Sequence, residues 1–263
     1  MQNAISALDT ELVRLAYQAG QVIMEVYASP IAVATKADKS PVTEADQKAE
    51  DVILAGLRKL APLIPILAEE SVAKGDIPEI GPSFFLVDPL DGTKEFISRN
   101  GEFTVNIGLI ENGVPVFGVV YAPAIDEMYF GRVGQGAMFA TVKTSLPWAG
   151  LSNATPIKTR PLPAEGATVL ASRSHCDAET EAFIAKTKVA QLVSAGSSLK
   201  FCRLASGVAD LYPRFGRTME WDTAAGHAVL LAAGGKVVTT DGRPLTYGKT
   251  SRGFDNPAFI ASA

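Results

Sequence analysis

Hydrophobic positions along the chain change their spacing several times, and each spacing predicts a kind of element. Apolar residues recur every three or four positions from Leu8 to Tyr27, as on one face of an α-helix. A polar segment with Pro41 fills residues 33–46 and leads into a second predicted helix over about residues 44–60. We therefore expect two amphipathic helices at the start of the chain, joined by a mobile loop in the position of a lid.

From residue 64 onwards the apolar runs shorten to the length of β-strands. These runs are residues 64–67, 84–87, 104–110, 114–121, 128–130 and 137–140. Asn112-Gly113 separates the third from the fourth, and this dipeptide is typical of two-residue hairpin turns. The first half is therefore predicted to be a mainly antiparallel sheet covered by helices.

Residues 145–165 carry four prolines and interrupt any regular pattern, which predicts a boundary between subdomains 1–145 and 146–263. Beyond the boundary, predicted strands and helices alternate. The predicted elements are strands over 168–171, 189–193, 211–212 and 236–239, and helices over 177–188, 197–209 and 222–233. The expected fold class is a layered α/β protein whose C-terminal subdomain is α/β.

Composition narrows the functional classes. The chain has 263 residues, 47% of them hydrophobic and 20% charged, with a formal net charge of −4. These values argue against disorder and against nucleic-acid binding driven by positive charge. No window approaches about 18 uninterrupted apolar residues, and the N-terminus lacks a signal-peptide pattern. We expect a cytoplasmic protein without an integral membrane segment, for which peripheral attachment at the inner membrane stays open. Cys176 and Cys202 have no metal-type spacing and are expected to be packed thiols.

The most informative segment is residues 88–93, DPLDGT, which follows an apolar run. It places Asp88 and Asp91 three positions apart across a proline-constrained segment. Two such carboxylates suit Mg²⁺, which prefers oxygen ligands and bridges phosphate oxygens. An ordinary acidic turn is the alternative, because Asp, Pro and Gly are common turn residues.

Further carboxylates stand at predicted element ends. Glu69 follows a short strand, and Asp222 opens a predicted helix, where it could also serve as an N-cap. Together with Asp88 and Asp91 they form a set that would repel itself unless cations lay among its members.

Three motifs in order resemble the magnesium-dependent, lithium-sensitive phosphatases of the inositol monophosphatase superfamily. They are residues 69–70 (EE), 88–93 (DPLDGT) and 221–225 (WDTAA), and residues 43–46 (TEAD) match an upstream segment of that family. The resemblance covers essentially the whole chain. It implies a sugar-phosphatase-like α-β-α-β-α sandwich, with metal binding in the first subdomain and substrate binding in the second.

The resemblance also implies a ligand set for two or three magnesium ions. One ion would be held by Glu69, Asp88 and the Leu90 carbonyl, and a second by Asp88, Asp91 and Asp222, with a third site on the 33–46 loop left open.

Thr93 and Asp46 would form the relay that activates water, although Asp46 could also be only a helix-start carboxylate. A competing phosphatase superfamily uses acids two positions apart and a covalent phospho-enzyme. The spacing of three here favours direct attack by metal-activated water, with Thr93 and Asp46 accepting its proton and a metal stabilising the leaving alkoxide.

Within the family, details favour the bisphosphate nucleotidases of bacterial sulfate assimilation. These details are Lys94-Glu95, residues 99–106 and Arg214, whose guanidinium suits a second anionic group on the substrate. The implied reaction is cleavage of adenosine 3′,5′-bisphosphate to AMP and phosphate, with 3′-phosphoadenylyl sulfate as a second substrate. The alternative is an inositol or other sugar monophosphatase, and a more distant one is a non-catalytic metal-dependent nucleotide sensor.

The predicted substrate contacts combine the metal end with a cationic end. They are Glu69, Leu90, Asp91, Gly92, Thr93, Ser197, Lys200, Arg214 and Asp222. Lys36 and residues 172–175 (SRSH) are weaker candidates for anion binding, since each could simply be solvated or capping, and His227 is expected to be structural. The expected partner is a small nucleotide and not a nucleic acid, and the protein is expected to be a monomer or a homodimer.

Overall fold

A computed structural model describes residues 6–30, 32–35, 41–171 and 178–263, and within them it contains seven α-helices and fourteen strands. The helices are α1 (Ala7–Tyr27), α2 (Glu44–Leu60), α3 (Glu69–Ala73), α4 (Thr93–Ile97), α5 (Ala178–Ala185), α6 (Leu199–Ala205) and α7 (Ala224–Ala232). The strands are β1 (Val33–Thr35), β2 (Pro41–Thr43), β3 (Ile66–Ala68), β4 (Ser83–Asp91), β5 (Thr104–Glu111), β6 (Val114–Ala122), β7 (Glu127–Arg132), β8 (Gly136–Thr141), β9 (Thr155–Ile157), β10 (Ala167–Ala171), β11 (Val189–Ser194), β12 (Leu211–Arg214), β13 (Lys236–Thr239) and β14 (Phe259–Ser262).

A seven-stranded sheet forms the centre of the molecule, with the strands in the order β3 to β9. Only β3 and β4 run parallel, and every other neighbouring pair is antiparallel. The turn between β5 and β6 places Asn112 and Gly113 at φ 51° and 77°, the left-handed conformation that favours Asn-Gly in tight hairpins. The mainly antiparallel first sheet is as the sequence predicts.

Helices α1 and α2 cover one face of this sheet. Successive strand residues point to opposite faces, so alternate residues of β5, Val105, Ile107 and Leu109, share one core cluster. Leu12 from α1 and Ile53 from α2 belong to the same cluster, and both are fully buried. The helical spacing of these apolar residues therefore buries one stripe of each helix against the sheet.

Helix α7 crosses the opposite face over a row of glycines. Gly108, Gly118 and Gly131 pair across β5, β6 and β7. A Cβ atom at Gly118 would lie 2.2 Å from the Ala225 carbonyl oxygen, and one at Gly131 would lie 2.8 Å from the Ala232 Cβ. The glycines therefore form a groove that lets the helix backbone approach the sheet closely.

A five-stranded mixed sheet, in the order β11-β10-β12-β14-β13, completes the fold. Strand β10 runs parallel to β11 and β12, whereas β14 is antiparallel to both β12 and β13. Helix α6 contacts α7 and β12, and α5 contacts β12. The layers are thus α1 and α2, the seven-stranded sheet, α6 and α7, the five-stranded sheet, and α5, which confirms the expected layered α-β-α-β-α fold class.

The structure corrects the sequence expectation at three places. Residues 33–35 and 41–43, expected to lie in a loop, pair as the antiparallel strands β1 and β2. Strand β14 was not predicted, and β9 extends the first sheet from beyond residue 145. The division into residues 1–145 and 146–263 stays a prediction.

Candidate active site

Strand β4 carries Asp88 and Asp91 where its pairing with β5 shifts register. Between these aspartates β4 has one residue more than β5, which is a β-bulge. Pro89 lies in the bulge, where a strand tolerates the missing N–H. The Leu90 N–H donates to Asp88 Oδ1 at 3.1 Å, and Asp88 is 2% exposed. Residues 88–91 are therefore a bulged strand end, and the turn that the composition suggests is confined to Gly92.

Gly92 turns the chain from β4 into α4. Its φ is 94°, in the left-handed region that favours glycine, and a Cβ there would lie 2.2 Å from Ser197 Oγ. That hydroxyl is 2.9 Å from both the Asp91 and Glu102 carbonyl oxygens. The absence of a side chain at Gly92 thus lets the segment before α6 close against the strand end.

A cleft of about 300 Å³ lies between the ends of β4, α6, β12 and α7. It brings together most of the predicted site residues. Its lining includes Glu69, Asp91, Gly92, Thr93, Ser197, Lys200, Arg214 and Asp222. Asp46, Asp88 and Leu90 do not line the cleft and are each at most 2% exposed.

Three carboxylates at the cleft interact electrostatically. Burial raises the pKa of Asp91, the charge of Lys200 opposes the rise and the charge of Glu69 adds to it, so that the pKa is about 6. Burial also raises the pKa of Asp222 well above its usual value, with added repulsion from Asp91 and Glu69. Asp222 Oδ2 accepts from the Met219 N–H at 2.8 Å, so its carboxylate is not the side-chain N-cap of α7.

This donor set fits a hard cation, since its oxygens are all carboxylate and a positive ion among them would relieve their repulsion. Within the ranges that the structure describes, no three His, Cys, Asp or Glu side chains are already grouped so that they could hold a metal ion. The individual ligands, Glu69, Asp88, the Leu90 carbonyl, Asp91 and Asp222, therefore stay a prediction.

Asp46 joins the start of α2 to the cleft. Its Oδ2 accepts from both the N–H and the hydroxyl of Thr43 at 2.7 Å, which closes a capping box. Its Oδ1 accepts from the Thr93 hydroxyl at 3.1 Å. The helix-start role and the contact with Thr93 therefore coexist in one carboxylate.

Two buried cations also line the cleft. Lys200 is 6% exposed, and burial lowers its pKa to about 8 while the charge of Asp91 opposes that change. Its Nζ donates to the carbonyls of Ala195 and Ser197 and lies 5.3 Å from the centre of the Tyr212 ring. Arg214 Nη2 donates to the Arg217 carbonyl at 3.0 Å, whereas its buried Nε has no hydrogen-bond partner among the described residues.

A buried polar network anchors the segment that carries Asp222. Glu220 is fully buried and accepts from the N–H groups of Gly248 and Lys249, each at 2.8 Å. The Tyr247 hydroxyl donates to Thr223 Oγ1 at 3.1 Å and lies 2.9 Å from His227 Nδ1. His227 is thus buried within this network, and the network anchors Glu220 and Thr223, which flank Asp222 in the sequence.

Sequence reasoning named neither Arg217 nor Thr218, and it placed Ser198 and Asn106 in segments typical of substrate binding without predicting their contacts with Asp91. Arg217 and Thr218 line the cleft, and Ser198 and Asn106 contact the Asp91 carboxylate beneath it. Spacing offered a signal only for Arg217, which follows Arg214 in a short polar segment. Lys36 and the candidates at 172–175 lie outside the described residues.

Residues 5–260 match the model of the inositol monophosphatase family. The chain belongs to the inositol monophosphatase family. It is 47% identical over 254 residues to the 3′(2′),5′-bisphosphate nucleotidase CysQ of Shigella flexneri, covering 96% of this chain and 98% of that protein. It is 46% identical to the Escherichia coli K12 protein of the same name over the same shares of each chain.

Solved structures of this family have the same architecture. CysQ from Bacteroides thetaiotaomicron matches with a TM-score of 0.81 and 41% identity, covering 96% of each chain. An inositol monophosphatase of Thermotoga maritima matches with a TM-score of 0.75 and 26% identity, covering 95% of this chain and 89% of that one. The resemblance drawn from three motifs is confirmed, and membership of the family implies metal-dependent catalysis. In the described part of the chain, no helix has the length and apolarity to cross a membrane.

Proposed function

We propose that this protein is a magnesium-dependent 3′(2′),5′-bisphosphate nucleotidase that converts adenosine 3′,5′-bisphosphate to AMP and phosphate. The observation that carries the proposal is a single cleft lined both by carboxylates and by two buried cations. Glu69, Asp91 and Asp222 form the acidic end, and Lys200 and Arg214 form the basic wall. Relatives at 46–47% identity carry the same activity in their names.

The scissile 3′-phosphate binds at the acidic end of the cleft. Magnesium held there supplies polarisation of phosphate oxygens and activation of water. Glu69, Asp91 and Asp222 line this end, and Asp88 with the Leu90 carbonyl lies directly behind it on the bulged strand. We expect two or three ions at turnover, because phosphoryl transfer places negative charge on both the attacking and the leaving oxygen.

Thr93 and Asp46 supply the proton acceptor. The Thr93 hydroxyl donates its proton to Asp46 Oδ1, so its oxygen lone pairs can accept a hydrogen bond from a water in the cleft that it lines. Two hydrogen bonds from Thr43 hold Asp46 Oδ2 in place and leave Oδ1 for Thr93. The pair can therefore orient a water and accept its proton as the water attacks the phosphorus. No covalent phospho-enzyme is needed.

The basic wall is the place for the 5′-phosphate. Among the described residues the buried Arg214 Nε has no hydrogen-bond partner, and such a donor is costly unless a ligand satisfies it. Lys200 adds a cation in the same wall, and guanidinium and ammonium groups bind phosphate through charge-assisted hydrogen bonds. A monophosphate that lacks the distal anion would bring no phosphate to either cation. This wall therefore favours a bisphosphate, or the sulfate donor 3′-phosphoadenylyl sulfate, over an inositol monophosphate.

The test compares substrates with and without the distal anion. For Arg214→Ala and Lys200→Ala we expect KM for adenosine 3′,5′-bisphosphate to rise about 10- to 100-fold, the equivalent of one charged hydrogen bond. KM for adenosine 3′-monophosphate should change far less. Lys188→Ala is the matched control, because Lys188 is an exposed lysine that bonds the Ala164 carbonyl away from the cleft. Equal effects on both substrates would refute the assigned role of the wall.

A phosphate-release panel decides the substrate class. Adenosine 3′,5′-bisphosphate, inositol 1-phosphate and fructose 1,6-bisphosphate should be compared with magnesium, with chelator and with added lithium. We expect the adenosine bisphosphate to have the highest kcat/KM and to require magnesium. Preference for inositol 1-phosphate would assign the protein to the monophosphatases instead, and binding without turnover of any substrate would support a sensor.

A further inference from the structure

Ser198 lies at the junction between the two sheets, immediately before α6. It is 1% exposed, so solvent does not reach its hydroxyl. Ser197 before it has a φ of 48°, an uncommon left-handed conformation for a residue with a side chain. Hydrogen bonds from the Ser197 hydroxyl to the Asp91 and Glu102 carbonyls hold that conformation. The turn is thus locked in a form that buries Ser198.

The Ser198 hydroxyl contacts three elements that meet at the cleft. Asn106 Nδ2, on β5, donates to Ser198 Oγ at 2.9 Å. Ser198 Oγ lies 2.8 Å from the Asp222 carbonyl oxygen, just before α7, and 3.2 Å from Asp91 Oδ2 at the end of β4. One buried hydroxyl therefore links the two aspartates that come from different parts of the fold.

The number of protons on Ser198 and Asn106 decides which atoms donate and which accept in this contact. A serine hydroxyl has one proton and two lone pairs, so Ser198 can accept from Asn106 and share its proton between the two aspartate oxygens. Asn106 is fully buried, and its Nδ2 also lies 3.4 Å from Asp91 Oδ2. The reversed amide would place its oxygen against the carboxylate, which is repulsive. Both donors consequently point at one oxygen of Asp91.

We propose that Ser198 is a positioning residue that fixes the Asp91 carboxylate relative to Asp222 and thereby sets the affinity of the magnesium site. The proposal rests on the metal centre of the proposed function. The carboxylates of Asp91 and Asp222 lie on separate elements and repel each other, so their positions must be held by neighbouring groups. Partners that orient a ligating carboxylate typically change metal affinity about 10- to 100-fold when they are removed.

The experiment measures magnesium binding in the absence of substrate. Isothermal titration of Mg²⁺ into Ser198→Ala should give a dissociation constant about 10-fold or more above that of the unaltered protein. With saturating magnesium, most of kcat should return, because no group that touches the substrate has been removed. Ser206→Ala is the matched control, since its hydroxyl contacts, within the part of the chain that the structure describes, are the Cys202 and Arg203 carbonyls of its own helix segment, and it should leave magnesium affinity unchanged.

The outcomes separate this role from a purely structural one. A folded Ser198→Ala protein with lower thermal stability but unchanged magnesium affinity would overturn the proposal. If alanine prevents folding, Ser198→Cys keeps a group of similar size with a weaker donor, and it should give an intermediate affinity; unchanged affinity there is equally contradictory. Because the titration uses no substrate, it succeeds or fails independently of the bisphosphate assignment, which the phosphate-release panel tests.

Discussion

Asp46 shows how a single residue can join local structure to chemistry. One oxygen of its carboxylate closes the capping box of α2, and the other accepts from Thr93 at the cleft. The start of the helix therefore sets where the proposed proton acceptor lies. Gly92 also serves two purposes, because the missing side chain both allows a left-handed turn and leaves room for Ser197.

Removal of the Thr93 hydroxyl tests the relay. Thr93→Val keeps the branched shape but has no group to pass a proton to Asp46, so we expect kcat to fall about 100-fold or more with little change in KM. Thr93→Ser retains the hydroxyl and should stay within a few-fold of the unaltered rate. Steady-state kinetics at saturating magnesium makes the comparison. A valine variant as fast as the serine variant would exclude Thr93 from the proton path.

The lowered pKa of Lys200 predicts a pH dependence for recognition of the 5′-phosphate. Burial disfavours the charged ammonium, so Lys200 is charged below pH about 8 and loses its charge as the pH rises through that value. The ratio of kcat/KM for adenosine 3′,5′-bisphosphate to that for adenosine 3′-monophosphate should therefore fall between pH 7 and 9.5. Lys200→Met should give a lower ratio that does not vary over this range. A pH-dependent ratio in that variant would assign the titration to another group.

Motifs predicted the residues that line the acidic end and the basic wall, because carboxylates and cations at element ends have recognisable spacing. Eight of the nine predicted substrate contacts line the cleft, and Leu90 lies behind it. The contacts of Ser198 and Asn106 with Asp91 were not predicted, for a physical reason. Serine and asparagine are common polar residues, and only the fold brings 106 and 198 together beside Asp91.

At the scale of elements, α7 depends on the glycine groove beneath it. Ala224 and Ala225 lie over Gly108 and Gly118, and on the other side of the helix Gly226 lies against the Phe201 ring. The helix is thus held between the seven-stranded sheet and α6. Asp222, two residues before α7, takes its position from this packing.

Gly118→Ala should therefore disturb both stability and the site. The added Cβ would lie 2.2 Å from the Ala225 carbonyl oxygen, and because this neighbour is backbone, the helix must shift. We expect a loss of about 1–3 kcal/mol in the free energy of unfolding, measured with urea, together with weaker magnesium binding. Gly81→Ala is the control, since a Cβ there meets nothing within 4 Å. Unchanged stability in the Gly118 variant would mean that the groove is not a close contact.

Periodicity predicted elements with long or alternating patterns and missed the short polar ones. Helices α1 and α2 and the β5–β6 hairpin follow the expected ranges closely, because each carries a complete apolar face. Strands β1 and β2 have three residues each and little burial, so their pairing leaves no hydrophobic signal. Strand β14 is only four residues long and is recognisable chiefly from its partners β12 and β13.

Across the whole molecule, two core clusters lie on opposite faces of one sheet. Phe85 and Val87 of β4 belong to one cluster, and Phe84 and Leu86 belong to the other. Unfolding of the sheet would therefore expose both clusters at the same time. The alternating strands predicted such layers, whereas the placement of α7 between two sheets came from the family resemblance and not from any local pattern.

The two tryptophans report on the two clusters separately. Trp148 packs at the edge of the first cluster beside Tyr17, and Trp221 is 5% exposed within the second. In urea, Trp148→Phe and Trp221→Phe should show coincident fluorescence transitions after correction for each variant's stability, because both clusters share the sheet. Two separated transitions would instead support independent subdomains 1–145 and 146–263.

The row of glycines also bears on the order of folding. Gly108, Gly118 and Gly131 belong to three strands, and they align as a groove only when β5, β6 and β7 are in register. Until then α7 has no surface close enough to dock on, and Asp222 has no fixed place opposite Asp91. We therefore expect magnesium binding to be acquired after sheet formation, visible as a delay between far-UV circular dichroism and a magnesium-dependent Trp221 signal. A newly synthesised chain would pass through an intermediate that has the secondary structure of the sheet but does not yet bind magnesium.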